Sequence, residues 1–415
     1  MIIIREKKIK KIKQNFIYFF AGYVFIVGML PHKALYLKYF FILIAFFEAL
    51  MTVTRRKVKY DWKILMPITP FIVVSILSSF FNKVSFDQYI ELMPYYLINV
   101  LIFFYITVYR DYFGENELIN LNKILIIGVF LQVPITIYQY LNWNPSKTKL
   151  ITDAAYGTLG KGAANIMGYI MVMIIMLLIM LWKYTKEKKY LLLGLPMLIT
   201  LVISESKIGY VLFVIFLVIS VFSKFSISFA FIASGAAMIV YKIIESNMIF
   251  KNVLGQLNID NIIQTQMALK GSMGRLYYLV TSINYIKKHD ILFGYGPGNF
   301  LSYIGQKTNP ELFYSAVPID WVGSVDNQLP AILSEMGFLG LIAFLFILVF
   351  FFIKIIRFNI KEELLYIRAV RHWFLLYIIF FIIASSVCLP WQSPQFSVWF
   401  WLYAGLLYNI CGHKR

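Results

Sequence analysis

"YLLLGLPMLITLVISESKIGYVLFVIFLVISVF", residues 190–222, is the stretch from which the fold can be read. Two apolar runs flank one polar tetrad, Ser204, Glu205, Ser206 and Lys207, and the first run follows directly on the cationic "KYTKEKK" (183–189). Each run has about 15 apolar residues, roughly 22 Å of helix at ~1.5 Å per residue. That pattern is a membrane hairpin whose tip stops short of the far surface. Ions facing lipid cost several kcal/mol, so the tetrad is expected to line a protein-walled, water-accessible cavity. The competing expectation is an interfacial Glu205–Lys207 pair whose side chains reach for water.

The rest of the chain extends this reading. Of 415 residues, 60% are apolar, 18% aromatic and only 14% charged, which excludes a string of soluble domains. A bilayer core about 30 Å thick needs roughly 20 apolar residues per helix, and about twelve runs approach that length. They lie near 16–31, 34–53, 64–81, 92–109, 118–141, 162–182, 190–204, 208–222, 225–244, 327–353, 370–390 and 395–411. The expected fold is an all-α polytopic membrane protein of about twelve transmembrane helices. Residues 1–244 would supply nine of them, 245–326 a large extracytoplasmic loop, and 327–415 the last three.

Lys and Arg of short loops stay on the cytoplasmic side, and that fixes the orientation. Alternate loops, beginning with "REKKIKKIK" and ending with "HKR", carry 24 Lys and Arg against 8 Asp and Glu; the others carry 12 against 10. Both termini are therefore expected inside, and the first run reads as a signal anchor, since "GMLPHK" offers no small-residue cleavage pattern. Sixteen units of the net charge of +19 arise from this asymmetry, so the basic balance points to anionic inner-leaflet lipid and not to nucleic acid. The only cysteines, Cys388 and Cys411, fall near opposite faces, which leaves no disulfide framework and no thiolate metal site.

The outer loop of roughly 82 residues is the longest connection, and function concentrates on such segments. Within it, "RLYYLVTSINYIKKH" (275–289) spaces Leu276, Leu279, Val280, Ile283 and Ile286 as an amphipathic helix. It runs into "ILFGYGPGNF" (291–300), whose Gly294, Gly296 and Gly298 have neither the spacing nor the strand context of a dinucleotide loop. A tight turn that ends the helix fits better, because glycine tolerates positive φ and Pro297 fixes its own.

Further polar candidates are Arg275, Asp326 at the entry to the tenth span, Glu335 two turns inside it, and Glu48 in the second span. Asp326 suits a helix cap as well as chemistry. Glu335 is expected to bond a neighbouring helix, and Glu48 to serve packing.

The order "SESKIGY", "GSMGRLYYLVTSINYIKKHDILFGYGPGNF" and "DNQLPAILSEMGFLGLIAFLF", with a fainter echo in "GTLGKGAANIMGYIM" (157–171), resembles the O-antigen ligase and Wzy-type polysaccharide polymerase superfamily. These are GT-C-like membrane glycosyltransferases. Lys207 stands where the family often has Arg, which keeps the cation and loses its bidentate fork. Asp326 precedes Asn327 where ligases commonly carry histidine, and that looks more like the polymerase branch.

The resemblance implies a donor glycan on undecaprenyl diphosphate, a growing glycan as acceptor, and no metal, nucleotide or other cofactor. Lys207, Arg275 and Lys161 would balance charge developing on the diphosphate, and Asp326 would take the acceptor proton. Glu205, Tyr277 and Asn327 are expected against substrate, with Tyr278, Trp321 and Trp391 as further stacking candidates. The implied setting is the bacterial cytoplasmic membrane, with a flippase and a chain-length regulator as partners. A flippase from another class would share the span count, but no two related halves are visible. A scaffold without chemistry is the third reading.

Overall fold

The computed structural model describes residues 35–55, 60–110, 113–142, 155–159, 164–222, 290–299, 328–357, 364–386, 388–391 and 394–412, together with positions 11, 15, 18, 283 and 286. Among them all regular structure is helical. The helices are α1 (Leu35–Thr54), α2 (Thr69–Phe81), α3 (Phe86–Leu97), α4 (Val100–Val108), α5 (Glu115–Phe130) and α6 (Gln132–Leu141). They continue as α7 (Ala164–Thr185), α8 (Lys189–Ile203), α9 (Lys207–Phe222), α10 (Gln328–Ile356), α11 (Leu365–Ser385) and α12 (Pro394–Gly412), with a 3-10 turn at Trp62–Leu65.

Seven expected spans reappear as α1 and α7 to α12, with ends displaced by no more than about five residues. That near 225–244 lies outside the described residues, and of that near 16–31 only Tyr18, which is helical, lies within them. Three others are each divided in two. The 118–141 span breaks at Leu131, three residues before Pro134, whose ring clashes with the carbonyl four positions back. The 64–81 span becomes the 3-10 turn plus α2, and 92–109 becomes α3 plus α4.

Length and composition suit four stretches to crossing a membrane: Glu115–Leu141, Ala164–Thr185, Gln328–Ile356 and Leu365–Ser385. Shorter apolar helices, α8 among them, pack beside these. The outer surface is apolar in stripes. Leu192, Leu195 and Ile199 are exposed on α8, and Phe338, Ile342, Phe346 and Val349 on α10, while Met197 and Leu201 of α8 turn inward. An apolar exterior over a buried interior marks a membrane-embedded protein, whose lipid-facing helices need no polar face.

Two helices are buried on nearly every side, as helices apolar all round must be. One is α7, whose residues from Met167 to Leu181 are all buried under α8, α9, α11 and α5. The other is α4, buried between α1 and α12. Indole and amide donors fix the packing: Trp373 Nε1 donates to the Met173 carbonyl (2.8 Å), Trp391 Nε1 to Tyr96 (2.7 Å) and Asn409 Nδ2 to Ile106 (2.8 Å). Glu48 accepts from the Tyr109 hydroxyl (2.8 Å), a helix-to-helix bond in keeping with a packing role.

Candidate functional site

The α8–α9 turn is built by its own serines. Ser204 Oγ donates to the Leu201 carbonyl (2.7 Å), and Ser206 Oγ caps α9 by accepting from Gly209 N (3.1 Å). Ser206 Oγ also lies 3.3 Å from the Asn165 carbonyl of α7, and Tyr210 OH donates to Val202 O (2.6 Å), tying α9 back to α8. Gly168 of α7 lets the turn sit there: a Cβ on it would overlap Ser206, and one on Gly209 would lie 3.1 Å from the Gly168 carbonyl carbon. Backbones meet here as small residues allow in membrane helices.

This geometry corrects the expected open cavity. Ser204, Glu205 and Ser206 are 0%, 5% and 1% exposed; the two serines pack against α7, and Glu205 is buried and does not reach for the interface. Glu205 adopts φ +52°, left-handed backbone that a side chain seldom takes. Neither carboxyl oxygen has a hydrogen-bond partner. Tyr140 and Tyr210 are its electrostatic neighbours.

Beside the turn, residues 155–159 are strapped to α6 by two glutamines. Gln139 Oε1 accepts from Tyr156 N (3.1 Å) and Gly157 N (2.8 Å) while its Nε2 donates to Gly157 O (2.7 Å). Gln132 Oε1 accepts from Thr158 N (2.9 Å). The same end of α7 carries Tyr169, whose ring meets Phe396 at 4.3 Å and whose electrostatic neighbours include Cys388. The Cys388 carbonyl in turn accepts from Gln328 N (3.0 Å), at the start of α10. The turn, the 155–159 strap, the start of α7 and the start of α10 thus form one neighbourhood.

The second polar centre is a break in α10. Gly337 has φ +67° and ψ −165°, so the helix stops and restarts there. In an unbroken helix Phe338 N and Leu339 N would donate to the carbonyls of Ser334 and Glu335. Here they donate to Ile291 O (2.9 Å) and Leu292 O (3.2 Å), while Tyr295 N and Gly296 N donate to Ser334 O (2.9 Å) and Glu335 O (2.8 Å). The glycine loop, expected as a turn beside a site, is seated inside the helix break and satisfies it. A Cβ on Gly337 would overlap the Leu292 carbonyl, and one on Gly294 would lie 2.5 Å from Gly337 N.

Helices α2 and α3 hold the loop from the other side. Ser78 Oγ lies 2.6 Å from Phe293 O and 2.8 Å from Glu335 O and donates to either. Gln88 Nε2 donates to Pro297 O and Asn299 Oδ1 (both 2.9 Å), and the Phe81 and Phe293 rings lie 4.7 Å apart.

Within this frame Glu335 departs from its expected role. Its side chain is fully buried, and neither oxygen finds a partner of normal hydrogen-bond geometry, so it does not bond a neighbouring helix. Gln328 is equally buried with both side-chain polar atoms unpaired, and its seven-residue spacing from Glu335 was the sequence signal for it. Trp391, considered for sugar stacking, is fully buried among Phe344, Phe381 and Trp401 and is a core residue.

Of the expected site residues, Glu205 is described in full. Lys207 opens α9, with its side chain outside the described part. Lys161, Arg275, Tyr277, Tyr278, Trp321, Asp326 and Asn327 lie outside the described residues, though Asn327 immediately precedes α10. Of the amphipathic segment, Ile283 and Ile286 are described, helical, the first exposed and the second buried. Among the described residues no three His, Cys, Asp or Glu side chains gather to hold a metal.

Residues 192–345 match the family model described as "O-Antigen ligase". The match runs from α8 into the second half of α10, and so contains the turn, residues 290–299 and the break. No curated protein matches the chain.

Proposed function

We propose, from the match of residues 192–345 to the O-antigen ligase family model, that this protein is a membrane glycosyltransferase that lengthens a polysaccharide from lipid-linked repeats on the extracytoplasmic face. The observation that carries the reading is the coincidence of that match with both buried polar centres, Glu205 in the turn and Glu335 at the break.

The donor is an oligosaccharide on undecaprenyl diphosphate. An acceptor sugar hydroxyl attacks the anomeric carbon, the bond from that carbon to the diphosphate oxygen breaks, and the configuration inverts. Undecaprenyl diphosphate leaves with the bonding electrons, and the hydroxyl proton passes to Asp326. Lys207, Arg275 and Lys161 answer the charge that grows on the leaving diphosphate, the usual electrostatic contribution in such a site. Tyr277 stacks on a sugar ring, and Asn327 hydrogen-bonds its hydroxyls.

A ligase reading stands beside it, favoured by the family description, in which the glycan passes once to a different lipid-borne acceptor. Incubating the purified protein in lipid with an undecaprenyl diphosphate oligosaccharide and a chelator separates the two. A ladder of repeat lengths is the expected product; a single transfer to an added unlike acceptor selects the ligase. No transfer to either by folded protein, given matched donors, overturns both.

A further inference from the structure

Gln328 and Glu335 are fully buried; neither side-chain polar atom of Gln328 has a hydrogen-bond partner, and the Glu335 carboxyl faces the backbone N–H of Gly298 in the glycine loop without a bond of normal geometry. Positions seven apart fall about 20° from each other around a helix, so the amide and carboxyl share one face of α10, roughly 10 Å apart along it. Buried polar groups in proteins are paired as a rule, and ionisable residues inside membrane proteins face a partner or a pathway. Polar groups so poorly satisfied on one face are therefore ill suited to packing and well suited to meeting a polar ligand. An amide beside a carboxyl supplies donors and acceptors for sugar hydroxyls.

The seat of the glycine loop provides the means of uncovering that face. Between loop and helix there are four backbone bonds, and the helix groups in them are natural partners of one another: Phe338 N with Ser334 O, Leu339 N with Glu335 O. Withdrawal of the loop lets α10 close its own ladder, so the helix has two satisfied arrangements, the condition for a discrete switch. Gly337, with its positive φ in the broken arrangement, is the residue that tolerates both.

We propose that residues 290–299 are a removable plug over the Glu335 end of this face of α10, and that Glu335 takes a hydroxyl group of the acceptor sugar when the plug withdraws. The identity of the ligand rests on the glycan-transfer reading above; the motion of the plug does not.

The test uses the full-length protein in lipid nanodiscs carrying Phe81→Cys and Phe293→Cys, either bridged with a short bismaleimide or capped singly with N-ethylmaleimide. Hydrogen exchange in peptides covering 291–299 is expected to be at least tenfold slower in the bridged protein. Equal exchange overturns the plug, whatever the activity. Elongation is expected to fall at least tenfold on bridging, and undiminished elongation by bridged protein also overturns it. Glu335→Gln, with an unaltered exchange pattern, is expected to raise the acceptor KM at least tenfold with a smaller change in kcat; an unchanged KM removes Glu335 from the binding face. If the capped protein and the wild type both lack transfer activity, the glycan reading falls while the exchange result still decides the plug.

Discussion

The turn at 204–206 and the break at Gly337 both bury a carboxyl, yet they are held in opposite ways. In the turn, backbone and hydroxyl groups find partners within eight positions, with one further link to α7. At the break, partners come from the 290–299 loop and from Ser78, 215 positions from Phe293 and 257 from Glu335. Local satisfaction makes the turn a fixed part of the bundle. Remote satisfaction makes the break depend on a segment that has its own alternative.

Glycine substitutions should expose that difference most strongly. Gly168→Val drives a side chain into Ser206, and overpacking of this fixed contact is expected to cost about 3 kcal/mol or more and to abolish folded protein in the membrane. Gly337→Ala meets the Leu292 carbonyl and a left-handed φ, but the loop can leave, so the expected loss is about 1–3 kcal/mol with folded protein retained. Size-exclusion profiles and thermal unfolding in detergent measure both, and equal losses would erase the distinction.

Smallest is Ser78→Ala, which removes one shared hydroxyl donor for about 1 kcal/mol and should speed exchange in 291–299 without touching the 204–206 region. Equal acceleration in both regions would show that they open together.

The same contrast explains what the sequence revealed. Apolar runs flanked by cations placed seven helices, because length and hydropathy are local properties. The α8–α9 turn was legible because "SESK" interrupts two such runs, although its dryness was not: that depends on Gly168, some forty positions earlier. The break in α10 was hidden inside "SEMGFLG", since a lone glycine in an apolar run reads as tolerated. Only the docking of the 291–299 loop gives that glycine its conformation. Gln328 and Glu335 were visible as polar residues in a span, but how poorly they are satisfied is a property of packing.

Release of undecaprenyl diphosphate from a lipid-linked oligosaccharide by purified wild-type and Arg275→Ala protein tests the functional reading most directly. The account predicts release in step with glycan growth by the wild type, and loss of both in Arg275→Ala protein that remains folded in the membrane. Growth at the wild-type rate in the variant would contradict the assignment of Arg275, and absence of release from folded wild type supplied with its donor and acceptor would contradict glycan transfer itself.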